Sequence, residues 1–269
     1  MPELPDVETV ARRLRRSVAG RRITGVRVLS RSTIHSPHPR RFIRELSGRT
    51  VRTVDRRGKY LLIRLSGALT LIVHLRMTGD FELVPHAAPV HPHTRVILRF
   101  GRADLRFTDQ RRFGHMDLVS SDAEFGPVAE LGLEPLGASF TPGQWRALLR
   151  GRRGTIKSLL LRQDLIAGIG NIYADEILWQ ARVHPARPAH RMRQAEVDRL
   201  YRSIRRVLRR AVTHLSRYGR PVGRFLEVRG ERDIACPRCG HPIAVARIAG
   251  RTTYFCPTCQ REPRTKSAR

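Results

Sequence analysis

The sequence predicts an α+β, multidomain fold. Three observations carry that reading: short strand-like runs from Ile23 to Val119, a switch to helical periodicity after the Gly- and Pro-containing stretch 126–143, and four cysteines confined to the C-terminal end. At 269 residues the chain reaches the size at which one core gives way to several. A helix is expected over 6–18, where Val7, Val10, Ala11, Leu14 and Val18 follow the 3.6-residue period and Gly20 ends it. Strands are expected at Tyr60–Leu65, Leu69–Leu75, Val96–Phe100 and Asp104–Phe107, bounded by turns at Ser66-Gly67 and Gly101-Arg102. Strands at this spacing suggest a sandwich or barrel. Further helices are expected at 142–150, 155–162, 171–181 and 192–217, then a linker over 218–235, a small module over 236–259 and a disordered tail.

Composition narrows the function. Lys and Arg number 52 against 23 Asp and Glu, a net charge of +29, which favours a polyanionic partner, nucleic acid first. A GC-rich genome would explain Arg over Lys but not the scarcity of acids. No apolar run is long enough for a membrane span, and Glu3, Asp6 and Glu8 stand where a signal peptide would be basic and then apolar. Lys occurs only at 59, 157 and 266. Arg keeps its proton whereas Lys releases one when its pKa is lowered, so Lys59 and Lys157 are candidates for work that Arg does not do; the bland alternative is chance. On the last long helix Arg199, Arg202, Arg205, Arg206, Arg209 and Arg210 form either a solvated face or a DNA contact.

All four cysteines fall in Cys236-x2-Cys239 and Cys256-x2-Cys259, sixteen residues apart. Four thiolates at this spacing close the tetrahedral shell of one structural Zn2+; two disulfides are the alternative. Between the pairs Ile243–Ile248 and Thr252–Phe255 read as a hairpin turning at Gly250-Arg251, which would hold Arg251 against a phosphate or leave it as an ordinary surface residue.

The N-terminus, Met1-Pro2-Glu3-Leu4-Pro5-Asp6, offers a nucleophile. Initiator Met is commonly removed before a small residue, and an α-amine with a pKa near ~8 is partly neutral at neutral pH. A helix starting near Pro5 points its positive end at that amine and lowers its pKa further. A secondary amine attacking an aldehyde-like carbon gives an iminium directly, and Glu3 beside it could move protons. The ordinary reading is that Pro5 starts the helix and the acids suit its first turn.

Six segments in this order, MPELPDVET at 1–9, RGKYL at 57–61, HLRMTG at 74–79, DQRRFG at 109–114, GIGNIYADE at 168–176 and the four-Cys module, resemble the formamidopyrimidine-DNA glycosylases. The resemblance spans nearly the whole chain. It implies an N-terminal β-sandwich with flanking helices (1–125), a helix-two-turn-helix domain (126–225), a zinc-ribbon finger (226–262) and a tail (263–269). It implies a monomeric, cytoplasmic, nucleoid-associated enzyme acting on damaged double-stranded DNA, removing oxidised purines and nicking the strand. On this sequence Pro2 would attack the sugar C1′, Glu3 act as general acid, Lys59 donate a proton in β-elimination and Arg251 serve δ-elimination and phosphate contact. The target base must leave the stack, and Met77, Arg111 and Phe113 match the residues that fill the gap; core packing is the plainer fate of Met77 and Phe113. His93 (with His91 competing), Arg152, Lys157 and Asn171 match DNA contacts, Asn171 opening a helix whose amides could hold a phosphate.

The chain departs from the family's pattern at Asp6 (usually Glu), Arg76 (often Gly) and Gln110 (usually Pro). The segment between Leu215 and Cys236, which in the family closes over flipped 8-oxoguanine, is about ten residues short, a change that surface loops tolerate. Two other functions compete. An endonuclease VIII-type glycosylase for oxidised pyrimidines usually begins Pro-Glu-Gly-Pro, and Leu4 speaks against it. A non-catalytic damaged-DNA binder has no need to keep Pro2, Glu3 and Lys59 together.

Overall fold

A computed structural model describes residues 1–121, 125–219, 225, 226, 229 and 234–262. Most of the expected linker and the whole of the expected tail, 263–269, lie outside the described residues. The chain divides into two compact units, Met1–Glu130 and Leu131–Arg269.

The first unit is a β-sandwich. One antiparallel sheet runs β1-β7-β8-β6, from β1 (Gly25–Val28), β6 (Gly79–Pro85), β7 (Thr94–Phe100) and β8 (Ala103–Asp109). The other runs β2-β9-β5-β4-β3, from β2 (Ile34–Ser36), β3 (Val51–Arg57), β4 (Tyr60–Leu65), β5 (Thr70–His74) and β9 (His115–Val119), with β2 parallel to β9. Alternate residues of the sheets, among them Val96, Leu98 and Phe107 from one and Leu61, Ile63 and Val73 from the other, meet in a common core. Helix α1 (Leu4–Val18) adds Val7, Ala11 and Leu14, and α2 (Pro39–Leu46) adds Phe42 and Leu46. Leu62 and Ile72 point to the opposite face, where Val128 of the short helix α3 (Gly126–Ala129) covers them, so β5 is buried along its whole length.

The second unit is helical with a terminal hairpin: α4 (Pro142–Leu149), α5 (Ile156–Leu161), α6 (Asn171–Ala181), α7 (Gln194–Tyr218), β10 (Ala244–Ile248) and β11 (Arg251–Phe255). The two turns between α5 and α6 are closed by Gln163. Its amide donates to the Leu161 and Ile169 carbonyls, at 3.0 and 2.8 Å, and accepts from the Gly168 N–H at 2.9 Å. Helix α7 buries Val197, Leu200, Ile204, Val207, Leu208, Ala211 and Leu215 and ends at Gly219, whose φ of 69° suits a left-handed cap. Its arginines divide into two sets. Arg199 and Arg205 donate to carbonyls of their own unit and Arg206 to the Gln180 side chain, whereas Arg202, Arg209 and Arg210 face outward.

The hairpin turn differs by one residue from the expected Gly250-Arg251. Ile248 pairs with Arg251, leaving Ala249 (φ 53°) and Gly250 (φ 70°) as the central residues. Positive φ at both is the type I′ pattern that matches strand twist, so the sheet's geometry overrides Ala249's own preference. Among the described residues no helix is long and apolar enough to cross a membrane.

Candidate functional site

In the first unit the chain start is fixed by a reciprocal cap. Glu3 is the N-cap of α1; its side chain accepts from the Asp6 N–H, and the Asp6 carboxylate accepts from the Glu3 N–H at 2.8 Å. Asp6, shorter than the usual Glu, still closes this box. Burial pushes the Asp6 carboxyl above its ordinary range, against the lowering pull of the Glu3 amide. Pro2, half-buried, thus precedes a helix whose first turn points back at it.

Lys59 lies in the two-residue turn between β3 and β4, where Arg57 pairs with Tyr60 and only Gly58 has positive φ, the pattern of a type II′ turn. Arg56 ties this turn to α1. Its Nε meets Glu8 at 3.0 Å and its Nη1 donates to the Gly58 carbonyl at 2.9 Å. A single buried guanidinium therefore connects the helix that follows Pro2 and Glu3 to the turn that carries Lys59. Arg56 was not picked out from the sequence, because a contact spanning 48 residues leaves no local pattern.

Met77, Arg111 and Phe113 sit on two adjacent loops and do not pack into the core. Met77 is 37% and Phe113 53% exposed, and the Arg111 guanidinium lies 4.9 Å from the centre of the Phe113 ring. Both loops hang on Asp109, a buried residue that the sequence reading passed over. Its Oδ1 accepts from the Thr78 hydroxyl and, at 3.2 Å, from the Arg111 N–H; its Oδ2 accepts from the Gly114 N–H at 2.7 Å. The Asp109 N–H donates to the His93 carbonyl and its own carbonyl accepts from Arg95 Nε, both at 2.9 Å. His93 and His91 share that turn, with ring centres 5.1 Å apart. The signal was there to be read: Asp bonding the amide two residues on is an Asx turn, opening a loop that closes on Gly114. A Cβ at Gly114 would come within 2.7 Å of Phe107 and 3.0 Å of Asp109, so glycine is required.

In the second unit Lys157 corrects the sequence reading. It was expected to touch phosphate, but its side chain is 0% exposed, with Nζ 2.6 Å from Asp175 Oδ1 and 2.7 Å from Thr253 Oγ1. Its charge is used to dock the hairpin on α5 and α6. Asp175 Oδ2 also meets Arg229 Nε at 3.0 Å and the Tyr254 N–H at 3.3 Å. Asn171 Nδ2 donates to the Thr252 carbonyl at 2.9 Å, which brings Asn171 next to Arg251, exposed at the head of β11. Arg152 is half-buried, with Nε on the Leu148 carbonyl at 2.8 Å.

The cysteines converge. Cys236 and Cys259 Sγ are 4.0 Å apart, Cys239 and Cys256 Sγ 3.5 Å, and all four sulfurs lie within 4.8 Å of one another with no disulfide among them. Tetrahedral Zn–S bonds of about 2.3 Å require sulfurs about 3.8 Å apart, so the cluster fits one structural Zn2+. Outer contacts orient the ligands: the Trp179 indole N–H donates to Cys236 Sγ at 3.4 Å, and Arg238 stacks over Trp179 while donating to its carbonyl.

Comparison with known proteins agrees with this construction. Residues 1–116 match the model of the formamidopyrimidine-DNA glycosylase N-terminal domain, 131–218 that of its H2TH domain, and 234–261 a zinc finger found in FPG and IleRS. Formamidopyrimidine-DNA glycosylases of Pelotomaculum thermopropionicum and Symbiobacterium thermophilum are 43% and 44% identical; the matches cover 97% and 98% of this chain and 99% and 90% of theirs. A solved Lactococcus lactis Fpg bound to DNA with an abasic site superposes with a TM-score of 0.88 at 33% identity, over 97% of this chain and all of that one. A mutant of that protein with DNA containing Fapy-dG gives 0.89. By domain content, length and identity, this chain belongs to the formamidopyrimidine-DNA glycosylase family.

Proposed function

We propose that this chain is a bifunctional DNA glycosylase and AP lyase of base-excision repair that removes oxidised purines. After loss of Met1 the Pro2 amine attacks C1′, the bond to the damaged base breaks, and an iminium links enzyme and sugar. Glu3 supplies the proton at the sugar, and Lys59 serves the β-elimination that cuts the strand. Met77, Arg111 and Phe113 enter the gap left by the flipped nucleotide. His93, Arg152 and Asn171 contact the DNA backbone, and Arg251 serves phosphate contact and δ-elimination. The observation that carries this reading is the Arg56 bridge between the Pro2–Glu3 helix and the Lys59 turn. The division into domains at 1–125, 126–225 and 226–262, a monomeric state, and a cytoplasmic, nucleoid-associated location belong to the same proposal.

Borohydride trapping tests it, on duplexes carrying 8-oxoguanine, a formamidopyrimidine, dihydrouracil or an abasic site. A covalent adduct at Pro2 is expected; no adduct even with abasic DNA rejects the mechanism. A second reading, excision of oxidised pyrimidines, is kept because Lactococcus lactis Fpg has also been solved with DNA containing an oxidised pyrimidine. A larger adduct yield with dihydrouracil than with the purine lesions would favour it.

A further inference from the structure

A second group of metal-ligating side chains lies in the first unit, whereas the cysteines belong to the second. His35, His115 and Asp117 offer two imidazole nitrogens and a carboxylate oxygen, all within 4.8 Å of one another. Asp117 is 5% exposed, and among the described residues its carboxylate has no hydrogen bond or salt bridge. Its oxygens keep access to solvent, and His35 is the charged group that already acts on them, so a cation held between the two would add to an existing attraction. His115 is 6% exposed and is the first residue of β9 after the Phe113 loop. His35 is exposed and stacks on His115 with ring centres 4.2 Å apart and planes 4° from parallel, so shared coordination requires His35 to rotate out of the stack. The backbone supports the arrangement: β2 and β9 pair in parallel, and the register shifts between Ile34 and Ser36, so an irregularity falls at His35.

We propose that His35, His115 and Asp117 form a second divalent-metal site, separate from the ribbon, for a borderline transition ion such as Zn2+ bound by two imidazoles, one carboxylate and water. Such a donor set suits zinc-like ions rather than Mg2+ or Ca2+. A bound ion would join β2 to β9 immediately after the chain leaves the loop of Arg111 and Phe113.

The test uses the full-length protein with zinc already in its ribbon, titrated with Co2+ and followed by calorimetry and visible absorption. One further equivalent is expected, with weak d–d bands and no thiolate charge-transfer band. In His35→Ala, whose side chain is exposed, affinity for that equivalent should fall by more than about 100-fold, the upper end of what losing an outer contact alone costs. Asp117→Asn should do the same while the ribbon zinc is retained. No further equivalent in the wild type overturns the proposal, as does a further equivalent that either variant keeps at full affinity. A thiolate band would also overturn it, by assigning the ion to cysteine.

Discussion

A buried aspartate anchors loops in each unit, Asp109 in the first and Asp175 in the second, and the two are used in opposite ways. Asp109 takes its hydrogen bonds from backbone N–H groups and a threonine hydroxyl, so the cation it positions, Arg111, stays outside on Phe113. Asp175 takes Lys157 and Arg229 directly, and Lys157 disappears from the surface. The first arrangement presents charge to a partner; the second consumes charge to fix the hairpin. A lysine's rarity in this chain therefore marks a special position without saying which kind. Lys59 rides a turn tied to the N-terminal helix, whereas Lys157 is a structural counter-ion.

Lys157→Met should break that contrast most strongly. It leaves Asp175 buried with one cation fewer, and losing one partner of a buried pair costs about 3–5 kcal/mol. Urea unfolding should report that loss, together with easier release of zinc from the adjoining hairpin. An unchanged midpoint would mean that the pair is not structural.

The pH dependence of the first unit comes next. Burial, then the Arg76 charge, lowers the His74 pKa to about 3; burial, then His35 and Arg76, lowers His115 to about 4. Both lie below the ordinary histidine value of 6.5, so between these limits the unfolded chain binds more protons than the folded one. Stability is complete above pH 6.5 and falls as the pH drops toward 4. Thermal melts across this range check it, and His115→Gln should flatten the slope.

A smaller effect is expected at the other aspartate. Asp109→Asn turns one acceptor oxygen into a donor facing backbone N–H groups, at about 1–3 kcal/mol. Binding to DNA with a flipped base should weaken more than binding to intact duplex, since both wedge loops lose their anchor. Equal weakening would separate Asp109 from the loops. The smallest change in stability belongs to Lys59→Arg, within about 1 kcal/mol because the cation is kept. Strand cleavage should nevertheless be lost more than DNA binding, because Arg does not donate its proton; parallel loss would make Lys59 purely electrostatic.

How far the sequence could be read follows from the range of the interactions. The zinc module was legible because its spacing is itself the constraint, and β4, β5, β7 and β8 because buried strands show as apolar runs. The helices α4 to α7 were placed to within a residue or two by period and caps. The strands β1 and β2 are short and partly exposed, so they carried no pattern. The site residues were found through motifs, but their supports were not. Arg56, Asp109 and Asp175 act on partners brought near only by folding, and the burial of Lys157 depends on a hairpin 96 residues away in sequence.

The Asp109 anchor has a consequence for exchangeability. Its carboxylate takes hydrogen bonds from peptide amides and one hydroxyl, not from the side chains at 77, 111 or 113. Those three positions are interchangeable fittings on a fixed mount. A change in which lesion or opposing base is tolerated could be introduced there, by mutation or by design, without rebuilding the sandwich beneath.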